Sequence, residues 1–144
     1  MKEPFAKLPR YATPRSHPSS TLGDDSQMVW VVLNQQEAND HDLSDLLRKI
    51  LKAINIDLDS EVFQILVEKD ESFYLANILP SNAKIIIAFG IPPSSLGMTI
   101  EVKLYNKFIL RDHQFIFSDE LSQIRNNGDN KRSLWSSLQS INIH

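Results

Sequence analysis

The four histidines are the first candidates for acid–base or metal chemistry, and their spacing supports neither role. His17 stands among prolines and serines, and His144 is the last residue. Neither His41 nor His113 has a second histidine at ligand spacing. His113 follows Arg111-Asp112 and reads as a solvated histidine in a turn. Serines are plentiful, but no Gly-x-Ser-x-Gly elbow presents one as a nucleophile. A glycine-rich phosphate cradle needs closely spaced glycines, and Gly23, Gly90, Gly97 and Gly128 are scattered. No cysteine is present, which removes disulfides, thiolate zinc sites and thiol nucleophiles. The acidic pairs Asp24-Asp25, Asp57/Asp59, Asp70-Glu71 and Asp119-Glu120 fall at loops or helix starts. Carboxylates there complement the helix dipole, a reading preferred to a catalytic dyad. Lys131 and Arg132 break that rule, because they stand in the first turn of the closing helix. They form either an anion or partner-binding site at a helix start or a solvated pair screened by Asp129. The residues imply no catalytic group, no metal and no cofactor.

These residues must be held by elements that the apolar pattern predicts. Residues 28–33, MVWVVL, form a continuous apolar run rich in β-branched side chains, as in a strand buried on both faces. Asn34 to Asp40 reads as a polar loop. Leu43, Leu46, Leu47, Ile50, Leu51 and Ile54 recur at helical spacing, with Asp40 or Asp42 to cap the start and Asn55 to end it. Val62 to Val67 is a second strand and Lys84 to Gly90 a third. A short helix is favoured within residues 71–79, and a helical turn can follow Pro92-Pro93 as far as Met98. Ile100 to Tyr105 and Lys107 to Ile109 read as extended, and Gln114 to Phe117 as a fourth strand. Ser118 is placed to cap a short helix carrying Leu121 and Ile124. After the Asn126-Asn127-Gly128 turn, a last helix runs from about Asp129 to Ile141. It sets Leu134, Trp135, Leu138 and Ile141 on one face, with Trp135 expected as a core anchor. The rhythm predicts an α/β domain, a mostly parallel sheet of about four strands with helices on both faces.

The domain is assigned to residues 28–144 and a proline-rich tail to residues 1–27. Pro4, Pro9, Pro14 and Pro18 each remove a backbone donor, so no regular element is expected in the tail. The tail is either a solvated extension or a docking segment with Phe5, Leu8 and Tyr11 as apolar anchors. A net charge of −3 argues against holding nucleic acid by overall charge and leaves only a local patch. No apolar run approaches the roughly 18–20 residues of a membrane span, and the N-terminus lacks a signal-peptide core. The expected address is the cytoplasm, with no membrane contact.

Four stretches in order resemble the uracil-DNA glycosylase superfamily. They are the strand MVWVVLN, the helix LLRKILKAINI, the strand-turn KIIIAFG and the ending FSDELSQIRNNGDNKRSLWSSLQ. Lys131, Arg132, Leu134, Trp135 and Leu138 are similar to that superfamily's closing-helix motif, position for position. The resemblance covers roughly residues 28–141 and implies a three-layer α/β/α fold. The enzymes carry a proline- and glycine-bearing loop after strand one that positions the attacking water. Here that stretch reads Asn34-Gln35-Gln36-Glu37-Ala38-Asn39. The enzymes place a catalytic histidine where this chain has Phe117-Ser118-Asp119. Size, layout and closing helix resemble a non-enzymatic branch of the fold, the psi-subunit family of bacterial DNA polymerase III. That resemblance implies an adaptor in DNA replication, with clamp-loader or other replisome proteins as partners. The alternatives are a DNA-binding relative with lost or residual glycosylase activity and weak DNA contact, and an interaction domain of unassigned role.

Overall fold

The structure is a computed structural model that describes residues 18–141. Six strands form one sheet: β1 Ser20–Leu22, β2 Val29–Asn34, β3 Val62–Val67, β4 Ile85–Phe89, β5 Phe108–Leu110 and β6 His113–Ser118. Their order is β1-β3-β2-β4-β6-β5. The four strands read from sequence are the four central ones, and all of them run parallel. Two three-residue strands add antiparallel edges: β5 overlaps the stretch Lys107 to Ile109 read as extended, whereas β1 falls in the segment assigned to the tail.

The helices are α1 Gln35–Ala38, α2 His41–Lys52, α3 Leu58–Glu61, α4 Leu121–Arg125 and α5 Gly128–Gln139. Alternate side chains of each central strand point to opposite faces. Val29, Val31, Leu33, Ile85, Ile87, Phe89 and Ile116 pack under the helices, against Leu47 and Leu51 of α2 and Leu134 and Leu138 of α5. Trp30, Val32, Phe63, Ile65, Ile86, Phe115 and Phe117 pack on the other face.

That second face differs from the expectation of α-helices on both sides. It is covered by loops and by two 3-10 turns, Leu75–Asn77 and Pro93–Leu96. The helix favoured within residues 71–79 shrinks to one turn, because the Phe73 N–H is already given to the Ser95 carbonyl at 2.9 Å.

Asp40 caps α2 as its side chain accepts the Asp42 and Leu43 N–H groups. Asn55 closes that helix with φ +64°. Its N–H reaches Lys52 O, and Ile56 N–H reaches Leu51 O, the paired bonds of a Schellman end.

Several expectations need correction. Residues 18–27, assigned to the tail, include β1, which pairs with Gln64–Leu66; Ser19 is tied to Glu71 by backbone and hydroxyl bonds of 2.8 and 3.0 Å. The loop after β2 contains the helical turn α1. Residues 100–107 form no strand. His113 is buried, not solvated: Arg111 and Asp112 both have positive φ, closing a two-residue hairpin that draws His113 into β6. Its Nδ1 lies 2.6 Å from the Ala83 carbonyl oxygen. Ser118 ends β6 and does not cap α4; the N-cap position belongs to Glu120.

Trp135 is also not a core anchor, since it is 46% exposed. Leu134, Leu138 and Ile141 follow one another at helical intervals and take the buried stripe. Trp135 stands about 100° round the helix from Leu134. The buried tryptophan is Trp30, at 0% exposure, with its ring N–H donating to Gln27 O at 3.0 Å. Trp30→Ala is expected to cost about 3–5 kcal/mol of unfolding free energy. Trp135→Ala is expected to shift it by no more than about 1 kcal/mol. Urea unfolding followed by far-ultraviolet circular dichroism checks both, and equal shifts would contradict the assignment.

Candidate functional site

Parallel sheets collect ligands in the crevice beyond the carboxyl ends of their strands, where the strand order reverses. Here β2 lies between β3 and β4, so successive connections leave it in opposite directions. A cleft of about 950 Å³ opens at that point. It is lined by Asn34 at the end of β2, Glu68 to Ser72 after β3, Gly90 to Pro92 after β4, and Glu120 after β6. Glu68, Asp70, Glu71 and Glu120 face a single lysine, Lys69. The lining therefore carries the wrong sign for holding a phosphate backbone.

The one ionisable side chain of residues 34–39, following β2, is Glu37, and it is buried. Its Oε1 accepts the Leu121 N–H at 2.7 Å and its Oε2 accepts the Ser122 N–H at 3.0 Å. A carboxylate from α1 thus satisfies the opening donors of α4, a helix 84 residues further along the chain. Helix α4 has five residues, too few to persist alone, and its cap residue makes no side-chain bond. Glu37 and the buried Leu121 and Ile124 hold it in place.

Gly90 completes the junction from the other side. Its φ is +72°, and its N–H donates to Ser118 O at 2.8 Å. A Cβ there would stand 2.7 Å from the Glu120 Cβ, so a side chain would force β4 and the β6–α4 turn apart.

The position between Phe117 and Asp119 is engaged in the same way. Ser118 Oγ donates to the Asp119 carbonyl oxygen at 2.7 Å. Tyr105 donates its hydroxyl to Asp119 Oδ2 at 2.7 Å, while the Tyr105 carbonyl accepts from Ser137 Oγ of α5. Burial and the Asp119 carboxylate push the Tyr105 phenol up to about 12. This tyrosine, at φ +65°, fastens the preceding loop to both β6 and α5.

A second concavity, about 370 Å³, lies between α2 and α5. Its floor is apolar, with Leu46, Ile50, Ile124 and Leu138, and Trp135 forms one wall. Lys131 and Arg132, singled out from sequence, stand at this groove together with Lys49. The start of α5 is capped by its own Asn127, whose side chain takes the Asp129 and Asn130 N–H groups at 2.9 and 3.1 Å. Arg132 pairs with Asp129. Phe5, Leu8 and Tyr11 lie outside the described residues. Among the described residues, no group of three or more His, Asp or Glu is arranged to hold a metal. No helix there is long and apolar enough to cross a membrane.

Sequence reasoning missed Glu37. A lone acid in a polar loop carries no sign of burial; its only signal was the uncapped start of α4, where a distant acceptor had to arrive.

Glu37→Ala leaves two backbone donors without their carboxylate and is expected to cost roughly 1–3 kcal/mol, with Glu37→Gln intermediate. Urea unfolding followed by Trp30 fluorescence measures this, and an unchanged midpoint for the alanine variant would show that the contact contributes nothing. No protein-family model matches the chain, and no curated protein matches it.

Proposed function

We propose that the chain is a non-catalytic adaptor resembling the psi subunit of bacterial DNA polymerase III, acting in DNA replication through protein–protein contacts. The observation that carries this reading is the engagement of Glu37. In the enzymes that the sequence resembles, the loop after the first central strand handles the attacking water. Here Glu37, the one ionisable side chain of residues 34–39, is engaged with two backbone N–H groups of α4. A general base must lie within hydrogen-bond reach of the proton it removes, and Glu37 is buried with both oxygens turned onto the α4 backbone. At the position of the enzymes' histidine, Ser118 and Asp119 are bonded to each other and to Tyr105.

The finer fold assignment, a uracil-DNA glycosylase-type three-layer arrangement, belongs to the same proposal. Its support is the placement of the four resembling stretches. MVWVVLN supplies central strand β2, LLRKILK falls in α2, KIIIAFG supplies β4 and its terminal Gly90, and the closing motif forms α5. The layer opposite α2 and α5 consists of 3-10 turns and loops. A DNA-binding role at the strand ends is disfavoured by the surplus of carboxylates in the cleft.

In this reading the tail anchors Phe5, Leu8 and Tyr11 dock on a clamp-loader protein, and Lys7 and Arg10 add salt-sensitive steering. The truncation that tests it must stop before β1, so residues 1–17 are removed. The thermal midpoint is expected to stay unchanged, and capture of purified clamp-loader complex to fall sharply. A Phe5→Ala/Leu8→Ala/Tyr11→Ala variant should behave like the truncation. Undiminished capture by both forms would remove the docking role from the tail, and no capture by the full chain would overturn the replication reading. Protein-dependent breaks in uracil-containing DNA after alkali would overturn the non-catalytic one.

A further inference from the structure

We propose that the groove between α2 and α5 is the docking site for an acidic, amphipathic helical segment of a partner protein, an inference that rests on the adaptor reading. A groove of about 370 Å³ with an apolar floor between two helices has the form that takes the apolar face of a third helix. Trp135 is 46% exposed at its wall, and a partly exposed tryptophan beside an apolar pocket is the kind of residue that dominates interface energy.

The charge identifies the occupant. Lys49, Lys131 and Arg132 rim the groove, and no carboxylate is among the lining residues. Arg132 has Asp129 as a partner, but among the described residues neither Lys49 nor Lys131 has an ion pair. A segment with Asp or Glu flanking its apolar face would neutralise these cations at the rim, where such pairs steer association and fix register. The chain's own tail carries Lys2, Lys7, Arg10 and Arg15, the same sign as the rim, so it is not the occupant. Nucleic acid fits less well, because an apolar floor offers nothing to a phosphate backbone and three cations are few for phosphate neutralisation.

The probe is a synthetic helical peptide with Leu and Phe on one face at i, i+3, i+4 and i+7 spacing, and Glu on both flanks. A second peptide replaces each Glu with Lys. Binding to the full-length chain is followed by anisotropy of the labelled peptide and by tryptophan emission. The acidic peptide is expected to bind, to shift the Trp135 emission to the blue, and to weaken with added salt; the basic peptide is not. Trp135→Ala and Lys49→Glu/Lys131→Glu should each weaken the acidic peptide by about tenfold or more, the scale of losing a hot spot. Lys103→Glu, on an exposed loop outside the groove, should leave it unchanged.

Equal binding of the two peptides, or indifference to Trp135→Ala, overturns the inference. So does displacement of the peptide by a single-stranded oligonucleotide, or self-association that buries Trp135. If the peptide fails while the clamp-loader complex is still captured, the groove assignment falls and the adaptor reading stands. If the peptide binds and capture fails, the reverse holds.

Discussion

The contact between Glu37 and the start of α4 is the constraint on which the arrangement of the helical face depends. A five-residue helix has no spare hydrogen bonds, and its opening N–H groups must be met by something outside it. Glu37 meets two of them from the far side of the chain. Fixing α4 fixes Ile124, which lies in the core beneath the groove. It also sets where the chain turns at Asn127 to begin α5. Tyr105 holds α5 from its other end through Ser137. The position of Trp135 over α2 therefore follows from bonds made at the strand ends.

The two concavities divide along the same line. The strand-end cleft is wide, polar and acidic, and Glu71, one of its carboxylates, is occupied with Ser19 and the Glu68 N–H. The helical groove is smaller, apolar and rimmed by cations. Apolar surface left in water is a standing cost that a partner can relieve, whereas a solvated acidic cleft has no such drive. The observations therefore favour association on the helical face over chemistry at the sheet's edge. The closing-helix residues that carry the family resemblance, Lys131, Arg132, Leu134, Trp135 and Leu138, contribute to that face both its buried support and its exposed contact.

The central strands were legible because a strand buried on both faces must be apolar throughout, and β2, β3 and β4 are nearly so. Helix α2 was legible from its period and its caps, since Asp40 and Asn55 occupy the roles their side chains suit. Edge strand β5 was legible only as an extended stretch, and β1 not at all, because three mixed residues pair through their backbones and need no pattern. His113 was misread because a tight hairpin turn usually shows a glycine, and here Arg111 and Asp112 take positive φ instead. Trp135 was misread because a tryptophan adjacent to a buried leucine looks like core. Its i, i+4 relation to Lys131 places it on the other stripe. In the site, Lys131 and Arg132 were found by their conflict with the helix dipole, but the groove they rim depends on α2, which no local motif joins to them. Glu37 needed the tertiary structure outright.

The central claim is that this fold binds through its α2–α5 face and not through the strand-end cleft. Hydroxyl-radical footprinting tests it most directly, on the full chain alone and mixed with the purified clamp-loader complex. Trp135 is expected to be reactive in the free protein and protected in the mixture, while the exposed Pro92 at the cleft keeps its free reactivity. Protection at the cleft with Trp135 unchanged would contradict the account.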